Sequence, residues 1–253
     1  MSLVDELEPD LEALLLRIVP DLADQWQGAT EQEIEKIEKI AGRELPRFYR
    51  WFLMRMGRSM GPMTYPSLDF SASKVISSYA EDRFQPHPRF LMIGYESDDE
   101  MPIHMMYDFD HPARDDARVA AMQDLDETLY NQFDTFREML AWGEFCTSRV
   151  EKFSTVCIGS FVDDGDGDVL SQLDPIMDSL GFKAPISTGA CCSIYDHAEA
   201  AMVTSSTPGD EPRIHLFRLG GADVGSLRKL LGTIADQTGL EVEIEEWDQP
   251  GGS

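Results

Sequence analysis

Residues 29–61, ATEQEIEKIEKIAGRELPRFYRWFLMRMGRSMG, narrow the possible folds more than any other part of the chain. They read as two short amphipathic helices joined at the Leu45-Pro46 step. Thr30 with Glu33 three residues on has the spacing of a capping box, in which each residue satisfies a backbone or side-chain donor of the other. Ile34, Ile37 and Ile40 recur at helical intervals, and Gly42 stands where a helix stop is expected. Pro46 suits the first position of the next helix, where its missing N–H has no partner to lose. That second helix carries Phe48, Tyr49, Trp51, Phe52, Leu53 and Met56, too many large apolar groups for a solvated surface. A turn marked by Gly57 and Gly61 closes the segment, and none of its side chains is a catalytic candidate.

The remaining elements follow from periodicity. Residues 3–19 predict a helix with Leu7, Leu11, Leu14, Leu15 and Ile18 on one face, stopped by Pro20. Residues 57–88 are rich in turn formers, with a short helix or strand over 69–79. Strands are expected at 89–95, 101–108 and 119–122, and a helix at 129–145 with Phe133, Phe136, Leu140 and Trp142 facing inward.

Beyond residue 154 the order changes to strand 155–162, helix 169–180, strands 187–195, 200–205 and 213–219, helix 224–238 and strand 241–247. Val242 and Ile244 alternate there with Glu241, Glu243 and Glu245, the period of a half-exposed strand. This order predicts a two-layer α+β unit of ferredoxin-like character. The expected domains are 1–148 and 149–253. If residues 190–193 lie at a sheet edge, edge pairing offers a route to a dimer.

The first region resembles the SUKH superfamily, which includes yeast cell-wall assembly regulators and bacterial immunity proteins. The match rests on Thr30, Glu33 to Glu38, Leu45-Pro46, Phe48 to Leu53 and Gly57, followed by Phe90-Leu91-Met92-Ile93-Gly94 as a central strand. Residues 101–108 stand for its hairpin partner and 133–142 for a closing aromatic helix. It covers residues 25–147 in order, and Met56 stands where the family usually has Asn. The resemblance implies a SUKH-like domain of helices and antiparallel sheet, and a protein that binds rather than catalyses. The expected function is neutralisation of a toxin, with a regulatory or scaffold protein of cell-wall or signalling pathways as the competing class.

Charge sharpens the expected partner. The chain has 47 acidic and 21 basic residues, a net charge of −26. The excess is spread over both halves rather than held in a tail. Direct nucleic-acid binding is disfavoured, because phosphate contacts need Lys and Arg. A basic protein, such as a nuclease toxin domain, is attracted and captured faster. Glu96, Asp98, Asp99 and Glu100 concentrate four carboxylates in five residues beside the central strand, and they are the candidate partner-binding residues.

The start, MSLVDELEPDLEALLLRIVP, lacks the basic region and cleavage site of a secretory signal, so the expected location is the cytoplasm, with no membrane span. Cys146, Cys157, Cys191 and Cys192 form no C-x-x-C pair and read as reduced thiols.

Other candidate chemistry is weak. Starting at Asp164, the acidic run 163–168 places Asp164, Asp166 and Asp168 at the first three EF-hand ligand positions. Val169 then falls where Gly is required and Pro175 where Glu is required. The run reads better as a turn whose last Asp caps a helix. Of the five histidines, His104 and His215 lie in strand text and are expected to be satisfied, half-buried imidazoles. Asp108, Asp110 and His111 form a possible acid/base cluster, outweighed by the reading as a polar hairpin end. Gly220-Gly221 before Asp223 reads as a structural helix start. The expectation is no catalytic residue, no metal and no cofactor.

Overall fold

The computed structural model describes residues 8–248 apart from 64, 66–67, 98–101, 124–127, 166–167 and 209–212. Helices and antiparallel sheets divide it into two units, Met1–Leu140 and Ala141–Ser253, the division falling inside a helix that the sequence places wholly in the first domain. The class is mixed α+β. Among the described residues, no helix is long and apolar enough to cross a membrane.

The first unit opens with α1 (Pro9–Ile18), which buries the expected Leu11, Leu14, Leu15 and Ile18. The earlier part of the expected 3–19 helix, with Leu7, lies outside the described residues. The short α2 (Leu22–Gln25) and β1 (Trp26–Gln27) follow. In α3 (Glu31–Ala41) the capping box is complete. Glu33 N–H donates to Thr30 Oγ1 at 3.3 Å, and Thr30 N–H donates to Glu33 Oε2 at 2.7 Å. Gly42 ends the helix at φ +66°, a conformation that a side chain disfavours.

Pro46 caps rather than begins α4 (Arg47–Met56). All six large apolar residues of that helix are buried, as their number requires. The short β2 (Ser59–Met60), which pairs with β1, and β3 (Leu68–Asp69) lead to α5 (Ala72–Ala80), capped by Ser71 Oγ. Residues 72–80 are therefore a helix, resolving the alternative left open over 69–79.

A five-stranded antiparallel meander completes the unit: β3, β4 (Phe90–Glu96), β5 (Ile103–Ala113), β6 (Asp116–Gln123) and β7 (Thr128–Phe133), in that order. Helices α3 and α5 pack on β4, and α4 packs on β6.

The expected helix over 129–145 is corrected by the structure. Residues 129–133 pair with β6, with Tyr130 opposite Ala121 and Leu129 opposite Met122, and the helix α6 (Phe136–Phe145) starts later. Two local interactions move the start. Thr135 Oγ1 accepts from Glu138 N–H at 3.1 Å, and Arg118 pairs with Asp134 at 3.3 Å. Phe133, expected on an inner helix face, is a strand residue. Phe136 sits at the centre of the aromatic core, with ring centroids 4.9 Å from Phe52, 5.5 Å from Phe70, 5.8 Å from Phe48 and 5.9 Å from Tyr107. Edge-on and offset contacts of this kind add to area burial by about 0.5–1.5 kcal/mol per pair.

In the second unit a π-helical turn (Cys146–Val150) precedes β8 (Thr155–Val162), α7 (Val169–Ser179), β9 (Cys192–Asp196), β10 (Ala200–Ser205), β11 (Ile214–Gly221), α8 (Val224–Gln237) and β12 (Glu241–Asp248). The strand order is β12-β8-β11-β10-β9, all antiparallel. Without β9 this is the order of a ferredoxin-like unit. The chain adds β9 as an edge strand, shorter than the expected 187–195.

Cys157, Phe161, Phe217, Leu219 and Met202 face α7 and α8, meeting Leu173, Met177, Leu227, Leu231 and Ile234 in one core. Alternate residues on β11 point the other way, leaving Ile214 and Leu216 more than half exposed. Gly159 lets β12 approach β8, since a Cβ there would lie 2.1 Å from the Glu243 carbonyl oxygen. The four cysteines are free, three of them buried.

Candidate functional site

The structure distributes the sequence candidates rather than gathering them. Glu96 ends β4, and its N–H donates to His104 Nδ1 at 3.0 Å. His104 is buried between Phe84 and Tyr95, with ring centroids at 5.0 and 4.7 Å, so it holds the base of the β4–β5 hairpin. Asp98, Asp99 and Glu100 lie outside the described residues.

Asp108 is the centre of an ionic clamp. Arg89 donates from Nε and Nη2 to its two oxygens, each at 2.8 Å, and His111 Nδ1 lies 2.8 Å from Oδ2. Burial acts to raise this carboxyl. Hydrogen bonds from Arg89, His111 and the Asp110 N–H outweigh it and hold the group at about 2. A carboxylate pinned in its charged form is unsuited to proton exchange near neutrality, so the arrangement braces the ends of β4 and β5.

The acidic run after β8 does what its helix-capping reading requires. Asp168 Oδ1 accepts from Leu170 N–H at 2.9 Å at the start of α7, and Asp163 Oδ1 accepts from Gly165 N–H at 3.0 Å. Asp166 and Gly167 lie outside the described residues. Among those described, no group of three His, Cys, Asp or Glu side chains is placed to hold a metal.

His215 corrects an expectation. It is fully buried rather than half-buried, and among the described residues neither ring nitrogen has a hydrogen-bond partner. Strand parity puts it there. With Phe217 and Leu219 fixed in the core, the residue two positions before Phe217 must face inward as well. Burial pulls this imidazole down to about 4, against the opposing charge of Asp168, so it is neutral at pH 7.

Two of the four thiols are equally subdued. Burial raises the Cys146 thiol to about 12 and the Cys157 thiol to about 11, far from the reactive thiolate range.

Asp223 caps α8 as expected, accepting from Ser226 N–H at 2.9 Å and Ser226 Oγ at 2.7 Å. The feature that the sequence reading passed over is its neighbour in the chain, β12. This strand lies at a sheet edge and exposes Glu241, Glu243, Glu245 and Glu246. Glu243 accepts from Ser160 Oγ at 3.3 Å, and none of the four meets a Lys or Arg of the described residues in an ion pair. The signal was present as EVEIEEWD, but its alternation was read for secondary structure and not for charge.

Elsewhere the arginines are taken up within the chain. Arg50 reaches both Glu31 and Glu38, Arg58 meets Glu33 at 3.3 Å, Arg149 meets Asp196 at 3.0 Å and Arg218 meets Glu151 at 2.7 Å. The result is a surface of uncompensated carboxylates with its densest described stretch along β12. No protein-family model matches the chain, and no curated protein matches it.

Proposed function

We propose that this protein is a non-catalytic binding protein of the SUKH type, an immunity protein that covers a basic bacterial toxin domain, such as a nuclease, in the cytoplasm. The observation that carries the reading is the exposed row of Glu241, Glu243, Glu245 and Glu246 on the edge strand β12, unneutralised by any cation of the described residues. Such an acidic face offers a basic surface the same sign of charge as the phosphates of a nucleic acid. It raises the encounter rate with a basic partner by long-range attraction.

The charge also has a purely structural use, since acids along an edge discourage pairing with another sheet. The net charge of −26 is more than that use requires. Glu96, Asp98, Asp99 and Glu100 belong to the same proposal as a second acidic patch. The SUKH likeness is supported by the order of a capped Glu-rich helix, a Leu-Pro step and an aromatic helix packed on an antiparallel meander.

The test is co-expression with the C-terminal domain of a toxin encoded beside this gene, scoring growth and co-purification. The expected result is rescue with a stable complex. No rescue, with no complex on gel filtration, contradicts the assignment.

A further inference from the structure

A groove of about 510 Å³ opens at one end of the second unit, in the size range of pockets that take small ligands or single anchoring side chains. Five separate stretches of chain build it. Phe153, Phe182 and the α8 residues Leu227 and Leu230 are its large apolar lining groups. Two carboxylates line it, Glu199 on the β9–β10 turn and Asp223 at the head of α8, together with the His197 ring, 5.2 Å from that of Phe182.

The Asp223 charge is fixed in sign. Hydrogen bonds from Ser226 hold the Asp223 carboxyl below the usual range, so it is ionised at neutral pH. Glu199 is exposed, and neither acid forms an ion pair with a described Lys or Arg. Asp223 also occupies the position at the α8 N-terminus where a bound anion would otherwise be stabilised.

Arg149, which reaches over the Phe153 ring, is already committed. It donates to Asp196 Oδ1 at 3.0 Å and to the His197 carbonyl at 2.7 Å, and its guanidinium lies 4.7 Å from the Phe153 ring centroid. The groove thus has an apolar lining that includes two carboxylates and neither Lys nor Arg.

We infer that this groove seats an aromatic side chain of the protein partner, flanked in the partner's sequence by Lys or Arg whose charges meet Glu199 and Asp223. The inference rests on the reading of the partner as a basic protein. Charge complementarity selects the occupant. The aromatic group supplies buried area, and the cations distinguish it from an acidic or neutral segment. Interfaces concentrate their affinity in such anchored aromatic positions.

The test uses the full chain and the peptide Ac-Lys-Trp-Lys-amide, followed by amide NMR shifts. Saturable shifts are expected at residues 199–200 and 222–230, with binding roughly tenfold weaker for Ac-Glu-Trp-Glu-amide because the lining carboxylates then repel. Ala198→Trp, which fills the groove from an exposed turn, abolishes the shifts. Glu199→Lys, which reverses the charge at a lining position, weakens binding of the basic peptide and not that of the acidic one.

Equal affinity for the two peptides, or shifts centred elsewhere, overturns the inference. Tryptamine binding as tightly as the basic peptide overturns it too, in favour of a small-molecule site. Rescue of growth by Ala198→Trp as complete as by the wild type removes the groove as anchor and leaves the immunity reading standing. Absent rescue with intact peptide binding does the reverse.

Discussion

Asp116 in the first unit and His215 in the second are both buried ionisable side chains on sheet strands, and they are treated in opposite ways. Asp116 accepts from Tyr107 Oη at 2.6 Å, from its neighbour Ala117 N–H at 2.9 Å and from Arg137 N–H at 2.8 Å. It thereby ties β5 and β6 to the first turn of α6. Neither ring nitrogen of His215 has a hydrogen-bond partner among the described residues, and strand parity places the ring in the core. One group is part of the frame, and the other is tolerated by it.

Their ionisation runs in opposite directions as well. Burial outweighs the three hydrogen bonds and raises Asp116 to about 7, from an ordinary 3.8. The folded first unit therefore holds a proton that the unfolded chain has lost between about pH 4 and 7, and its stability falls as pH rises through that window. His215 is lowered from 6.5 to about 4. The unfolded chain protonates first, so this contribution is complete above pH 6.5 and is lost as pH falls towards 4. Acidification strengthens the first unit at Asp116 and weakens the second at His215.

The largest expected effect breaks the first unit alone. Phe136→Ala removes the ring on which five other aromatic rings converge and costs about 3–5 kcal/mol. Hydrogen exchange read peptide by peptide is expected to show lost protection over 45–140. Equal loss over 155–248 would contradict a core confined to the first unit.

Next in size is the acid sensitivity of the second unit. Lowering pH from 6.5 to 4 costs it about 3 kcal/mol at His215, and His215→Leu is expected to flatten that dependence. The opposing effect, a gain of about 2 kcal/mol in the first unit between pH 7 and 5, is expected to vanish in Asp116→Asn. If both units move the same way with pH in these paired measurements, the contrast is wrong. The smallest effect is Thr30→Ala, about 1 kcal/mol from the lost cap of α3, seen as fraying of residues 31–34.

What the sequence discloses depends on how local the cause is. The capping box, the Gly42 stop and the Asp168 and Asp223 caps were all legible, because each is decided within three or four residues. The order of the second unit was legible because its strands and helices have clean periods. The segment 129–133 was misread because Phe133 and Phe136 sit at helical spacing by coincidence, while the pairing edge of β6 that captures it is not a local signal. His215 was misjudged for a related reason, its environment being set by the register of β11 on β8. The groove was invisible, since its walls come from residues more than seventy positions apart. The acidic alternation of β12 is legible in full, because exposure on an edge strand follows from its period.

The central claim is electrostatic capture of a basic protein, and its most direct test is the association rate with the purified toxin domain as a function of salt. The rate is expected to fall at least tenfold between about 20 and 500 mM NaCl, as steered encounters do. Converting Glu241, Glu243, Glu245 and Glu246 to Lys is expected to lower the low-salt rate and flatten the slope. A complex whose association rate ignores both salt and these four reversals would contradict the claim.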